Sequence, residues 1–345
     1  MSEQKSRLLY LDAIRCIAAL SVVFSHFAER TPLHESAVFD YFTPGQFGVV
    51  VFFILSGFVI PFSFKRGVRD FAISRFFRLY PAYWVSVALA VICAVVFLDT
   101  PPDLRVVAAN LTMVQKLLGM PDLFGVYWTL LVELAFYFLC IGLFLTGTLD
   151  SIKTRFVVSL LLLFGSLAAA IAKKTYGFPA PVGILTFLSM MLFGSLWRDF
   201  TVVKNRHAGR YSAIWIALFC AIFPLIALLA YDIDQGLGES AKNFTGSFVS
   251  GVLFFLVFTT RIKLQARWMV YLGTISYSIY LVHPFFLGWI ISNTSMATEF
   301  NVPAFLVYIG AVVGSASLIY FFVEKPGMAI GRKLKVGMVT TSSAA

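Results

Sequence analysis

Charge is scarce in this chain. Only 13% of its 345 residues are Asp, Glu, Lys or Arg, while 59% are hydrophobic. Soluble domains carry about 25% charged and 45–50% apolar residues. With a mean hydropathy of +0.86, a water-soluble fold of this size has too little polar surface to cover its core. Soluble enzymes, secreted scaffolds and disordered chains are excluded. Cysteine is scarce as well. Cys16, Cys93, Cys140 and Cys220 all lie in apolar runs without CxxC spacing. They read as small buried hydrophobes rather than as disulfides or metal ligands. No His/Cys cluster has metal spacing, so no metal is implied. No cleavable leader is evident, since the first apolar run carries Asp12 and Arg15 and no small-residue cleavage site follows it.

Long apolar runs are what the chain does have. A membrane-crossing helix needs about 20 apolar residues. Ten stretches qualify: 8–27, 44–63, 79–98, 124–146, 155–172, 181–197, 212–231, 245–260, 268–292 and 302–323. The runs do not alternate, which argues against a barrel. The expected fold is an all-α integral membrane protein of about ten transmembrane helices. Residues 1–335 form a single transmembrane domain, and 336–345 a short cytoplasmic tail without order. The amphipathic stretch 104–119 is too short to span and is expected on the membrane surface or as a re-entrant helix.

The basic residues fit this layout. With both termini in the cytoplasm, 20 of the 27 Lys and Arg fall on the inner side, including Lys5, Arg7, Lys65, Arg66 and Lys333. The outer connections hold many of the acids, among them Glu29, Asp232, Asp234 and Glu239. The net charge of +10 thus reflects topology, and no nucleic-acid partner is implied.

Ionisable groups at membrane depth cost roughly 2.5–3.5 kcal/mol each and usually face a partner, a cavity or a substrate path. Here they are Asp12, Arg15, His26, Glu133, His283 and Glu324. Asp12 and Arg15 are three apart and share a helix face. Arg15 and His26 lie nearly in line, about 16 Å apart along a helix. His26, Glu133 and His283 come from three spans at similar depth. Histidine with a carboxylate is the composition of a general-base site. A hydrogen-bonded packing network has the same composition, and depth alone does not separate the two.

The segment Lys65 to Arg78, KRGVRDFAISRFFR, reads as an inner loop. On a helix, Arg75 and Arg78 would project together and suit bidentate contacts to phosphate. Contact with anionic lipid heads fits the same spacing. Ser56 and Gly57, in FFILSGF, read as a small-residue helix contact. A serine nucleophile would need the strained elbow of a hydrolase, which is absent.

Taken in order, these blocks resemble the acyltransferase family 3 of membrane proteins. They are LDAIRCIAALSVVFSH (Leu11 to His26), GVVVFFILSG (Gly48 to Gly57), RFFR (Arg75 to Arg78) with Tyr80 and Pro81, WTLLVE (Trp128 to Glu133), ISYSIYLVHP (Ile275 to Pro284) and VEKP (Val323 to Pro326). The likeness covers nearly the whole chain, in the form without a fused hydrolase-like domain.

That resemblance implies an enzyme moving an acyl group, usually acetyl, from cytoplasmic acetyl-CoA or another acyl-CoA to a hydroxyl. The usual acceptor is a sugar of a surface polysaccharide, an O-antigen or a lipid-linked glycan. It maps the catalytic histidine to His26, the arginine of the first-span motif to Arg15, and the donor-binding arginines to Arg75 and Arg78. Glu133 or His283 could orient His26. Arg15, Tyr277, Tyr280 or a backbone amide could meet the developing oxyanion. Direct transfer and an acetyl-histidine intermediate stay open, as does the oligomeric state. The partners implied are the acyl-CoA, the acceptor and the lipids of a bacterial cytoplasmic (inner) membrane. By span count and buried charge alone, a transporter or flippase fits equally well.

Overall fold

The computed structural model describes residues 8–64, 66–97, 99–177, 179–231, 240–293 and 300–342. Lys5, Arg7, Lys65, Asp232, Asp234 and Glu239 lie outside them. The described residues are helical, with no strand. In chain order the helices are α1 (Leu9–Ala28), α2 (Pro44–Val59), α3 (Gly67–Val96), α4 (Leu104–Asn110), α5 (Trp128–Leu145), α6 (Ile152–Tyr176), α7 (Val182–Thr201), α8 (Arg206–Ala230), α9 (Ala241–Thr260), α10 (Arg267–Thr274), α11 (Ser276–Asn293), α12 (Val302–Ile319) and α13 (Lys325–Ser342). A π-helical turn, Tyr320–Glu324, joins the last two. Contacts divide the chain into two compact units, Met1–Phe58 with Ser151–Ser276, and Val59–Asp150 with Tyr277–Ala345.

Among the described residues, eight helices are long and apolar enough to cross a membrane. The count is nine if α10 and α11, broken at Ile275, act as one span. The remaining expected span, 181–197, corresponds to α7, which falls short of that apolarity. Its packing supplies the reason. Every residue from Thr186 to Trp197 is buried, so α7 faces protein rather than lipid and can hold polar groups. Thr186 shares a hydrogen bond with Ser166 at 2.6 Å. Ser189 donates to the Ser159 carbonyl at 2.7 Å and accepts from the Trp215 indole at 3.0 Å. At its C-terminal end, buried Asp199 pairs with buried Arg155 of α6.

Close backbone contact in the first unit depends on missing side chains. A Cβ on Gly57 would overlap the Met191 carbonyl, and one on Gly194 would overlap that of Ile54. The small-residue contact read from FFILSGF is therefore the α2–α7 crossing. Gly273 lets α10 lie against the Asp12 carbonyl of α1 in the same way.

The second unit is organised along α3. This helix is 30 residues long and begins at Gly67, which corrects the reading of Lys65 to Arg78 as a loop. Arg75 and Arg78 sit inside a continuous helix whose charges are met by neighbours. Three elements run beside it. Tyr277 donates to the Leu79 carbonyl at 3.0 Å, Ser86 donates to that of Leu281 at 2.8 Å, and Gly288 lies against Cys93. These pairs advance together, so α11 is parallel to α3. Tyr127 meets Ser86, the Tyr137 ring meets Phe71, and Phe144 meets Phe64. That order runs backward, so α5 is antiparallel. Gly327 and Gly331 of α13 rest on Pro81 and Phe77.

The stretch 104–119 is not a span. It forms α4, a turn with Met113 at φ 64°, and a short 3-10 turn, Gln115–Leu118. Tyr80, Tyr83 and Trp84 of α3 donate to the carbonyls of Thr112, Asn110 and Leu111. These donors lie 12–16 residues before the end of α3, about 18–24 Å along it. The segment folds back along its own helix. Of the cysteines, Cys16, Cys93 and Cys140 are buried, whereas Cys220 is exposed on α8. An apolar span has an outward face, and a small hydrophobe sits there at no cost in lipid.

Candidate active site

In the first unit the polar stripe of α1 is built as the spacing predicts. Arg15 Nη1 donates to Asp12 Oδ1 at 2.9 Å. The Asp12 side chain is nearly enclosed and that of Arg15 is about a quarter exposed, so one carboxylate offsets the buried charge. Three turns on, His26 Nδ1 lies 3.5 Å from Glu29 Oε2. The other Glu29 oxygen accepts from Ser25 Oγ at 2.8 Å. Glu29 caps the C-terminus of α1. Read from sequence it counts only as an outer-loop acid. The available signal was its position three residues after His26, one helical turn. Glu29 thus supplies a carboxylate beside the imidazole, the role considered for Glu133.

The second unit gathers the remaining charged candidates. Arg78 Nη1 forms an ion pair with Glu324 and reaches Met328 Sδ at 3.5 Å. Glu324 is wholly buried in the π-helical turn, and its second oxygen accepts from Ser278 Oγ at 2.8 Å. The Arg78 guanidinium lies 5.9 Å from the centre of the Tyr277 ring. Arg75 Nη2 donates to Ser63 Oγ at 3.1 Å. Its guanidinium stands 5.5 Å from the Phe71 ring and 5.9 Å from that of Tyr137. The Tyr137 hydroxyl donates to Glu133 Oε1 at 2.6 Å. Glu133 therefore belongs to the neighbourhood of the arginines through Tyr137. Ser278 lies within the ISYSIYLVHP block and Tyr137 one helical turn after Glu133, whereas Ser63 carries no sequence signal beyond being polar in an apolar run.

Tyr280 and His283 form a separate group. The Tyr280 hydroxyl shares a hydrogen bond with Thr129 at 2.9 Å and donates to the Val126 carbonyl at 3.2 Å. His283 is fully buried, with Nδ1 2.8 Å from the Tyr280 carbonyl one turn earlier.

The arginine group has features that suit an anionic phosphate ligand. Arg75 Nε is buried without a hydrogen-bond partner among the described residues, so it has a donor to offer. Arg78 keeps an exposed side, with 29% of its side chain accessible. Both present planar forks from successive turns of one helix.

Comparison with known proteins identifies the family. The sequence profile of an acyltransferase domain matches residues 8–322. The chain is 29% identical to the exopolysaccharide production protein ExoZ of Rhizobium meliloti (strain 1021), over 90% of this chain and 96% of that protein. It is 25% identical to YrhL of Bacillus subtilis (strain 168), a proposed peptidoglycan O-acetyltransferase, over 92% of this chain and 54% of that protein. A shorter match, 32% identical, links 36% of the chain to nodulation protein 10 of Rhizobium leguminosarum bv. viciae. With the profile running from the start of α1 into the π-helical turn, this multi-pass membrane protein belongs to the acyltransferase-3 family.

Proposed function

We propose that the chain is a membrane O-acyltransferase that moves an acyl group, most simply acetyl, from acyl-CoA to a hydroxyl of a sugar in a surface polysaccharide or lipid-linked glycan. In this reading it lies in a bacterial cytoplasmic membrane with both termini inside. The observation that carries it is the placing of Glu29 beside His26. A sugar hydroxyl is a poor nucleophile until a base takes its proton. Glu29 beside Nδ1 favours the tautomer with the proton on that nitrogen, in which Nε2 carries the lone pair that can take a proton. Nε2 accepts the hydroxyl proton as the oxygen attacks, and Glu29 stabilises the imidazolium that forms. Ser25 holds the carboxylate in place. The acyl-CoA thioester supplies the activated acyl carbonyl. Arg75 and Arg78 hold its phosphates, and Arg15 lies along α1 between inner end and base. The sugar acceptor is supported by relatives named for exopolysaccharide production and peptidoglycan O-acetylation.

The test uses detergent-purified protein, radiolabelled acetyl-CoA and glycan extracted from the producing cells. Wild type is expected to bind the donor and label the glycan. His26→Ala should bind donor without labelling, and Arg75→Ala should bind donor weakly. Folded wild type that neither binds nor consumes acetyl-CoA, yet moves glycan across vesicles without it, would overturn the reading in favour of transport.

A further inference from the structure

Two carboxylates accompany the two arginines. Glu324 pairs directly with Arg78. Glu133 accepts from Tyr137, whose ring faces Arg75. Arg75 and Arg78 stand three residues apart on α3, so the two pairs are neighbours. The cluster therefore sums to two positive and two negative charges. A site meant only for tight capture of a polyanion would leave the arginines bare. Bare arginines at this depth are costly in the unliganded protein, and a buried carboxylate offsets that cost. The same carboxylates repel an arriving phosphate.

We propose that Glu133 and Glu324 are built-in counter-ions of the donor site, which weaken its hold on the coenzyme A phosphates so that the spent product can leave. This rests on the reading of Arg75 and Arg78 as donor-binding residues. The geometry suits such a role. Glu324 is fully buried, whereas Arg78 keeps an exposed side. A phosphate can thus approach Arg78 without displacing Glu324, and it meets a cation whose field is partly cancelled. Ser278 anchors the second oxygen of Glu324 at 2.8 Å, which keeps the carboxylate in place. The π-helical turn sets Glu324 at the joint between α12 and α13, and such turns are frequent at functional positions.

Glu324→Gln and Glu133→Gln each remove one negative charge and keep a hydrogen-bonding side chain of the same shape. Binding of free coenzyme A is measured by calorimetry on the detergent-solubilised full chain, beside pantetheine, which lacks the nucleotide phosphates. Each Gln variant is expected to bind coenzyme A about tenfold tighter, with a steeper loss of affinity in salt. Pantetheine binding should not change, and kcat should fall together with KM as release slows. Arg75→Ala should weaken coenzyme A binding. Wild type that binds coenzyme A while both folded Gln variants bind it equally or more weakly would overturn the counter-ion assignment alone. A change in pantetheine binding equal to that in coenzyme A would overturn it too, since it would point to altered shape. If Glu324→Gln fails to fold, Glu133→Gln decides the matter, because its hydrogen bond is to a tyrosine hydroxyl and not to a cation. Folded wild type without coenzyme A affinity would remove the donor reading and this assignment with it.

Discussion

His26 and Glu29 stand one turn apart at the C-terminal end of α1, with Nδ1 and Oε2 separated by 3.5 Å. A carboxylate in this position orients the imidazole ring, and that positioning bears on kcat more than on substrate binding. Glu29→Gln is expected to lower kcat by about 10–100-fold with KM for the acyl donor little changed. That is less than a fully buried triad carboxylate delivers, because a quarter of the Glu29 side chain is exposed. Glu29→Asp should recover part of the loss. Steady-state transfer to glycan checks both, and an unaltered kcat in Glu29→Gln would reject the assignment.

Arg78 and Glu324 make the second testable relationship. Arg78→Ala leaves a wholly buried carboxylate without its cation, a change that costs about 3–5 kcal/mol in buried pairs. The variant should unfold at clearly lower temperature in detergent. Arg78→Ala combined with Glu324→Gln removes both charges and should recover most of that loss, giving a large coupling energy in a double-mutant cycle with the two single variants. Additive effects would show that the pair contributes nothing to stability.

What the sequence makes legible follows a physical rule. Contacts within one helix turn are readable because helical spacing dictates them. Asp12 with Arg15 is such a pair, and His26 with Glu29 is another that the same rule could have found. Contacts between distant segments are not readable in this way. Arg78 and Glu324 are 246 residues apart, and only the order of motifs hints that both matter. The start of α3 is hidden for a different reason. Arg66, Arg69, Arg75 and Arg78 look like a topogenic loop, and Ser63, Tyr137 and Glu324 show how a helix can carry Arg75 and Arg78. The case of α7 is the reverse. Its apolar stretch reads as a span, while Thr186 and Ser189 reveal their purpose only through partners on α6 and α8.

Gly273 tests how finely α1 must be seated. A Cβ there would overlap the Asp12 carbonyl, and a backbone cannot give way as a side-chain tip can. Gly273→Ala is expected to cost about 2 kcal/mol or more, in the range of overpacked cores, and to shift the helix that carries Arg15 and His26. Gly310, on α12, has open space at the same position. Gly310→Ala should stabilise by about 0.5–1 kcal/mol through helix propensity. Thermal unfolding of the two variants compares them directly, and equal effects would contradict the close approach of α10 to α1.

The fold-back segment hangs on Asn110. Its side-chain amide donates to the carbonyls of Val106 at 2.8 Å and Pro121 at 2.9 Å, and its side-chain oxygen accepts from the Leu123 N–H at 3.1 Å. Its own carbonyl accepts from Tyr83, so one buried residue ties both arms of the loop together and to α3. Asn110→Ala removes the side-chain bonds and leaves their backbone partners unsatisfied, at about 1–3 kcal/mol for each buried group. Tyr83→Phe removes one bond only, so its effect should be smaller, near 1 kcal/mol. The loss is expected to appear locally before it appears globally, because the segment is a short fold-back with few elements of its own. Lys116, about half exposed in this loop, provides the readout. Trypsin should cut after Lys116 markedly faster in Asn110→Ala than in wild type, with Tyr83→Phe between them. If all three are cut at the same rate, Asn110 does not hold the fold-back against α3, and the segment is ordered by something other than these hydrogen bonds.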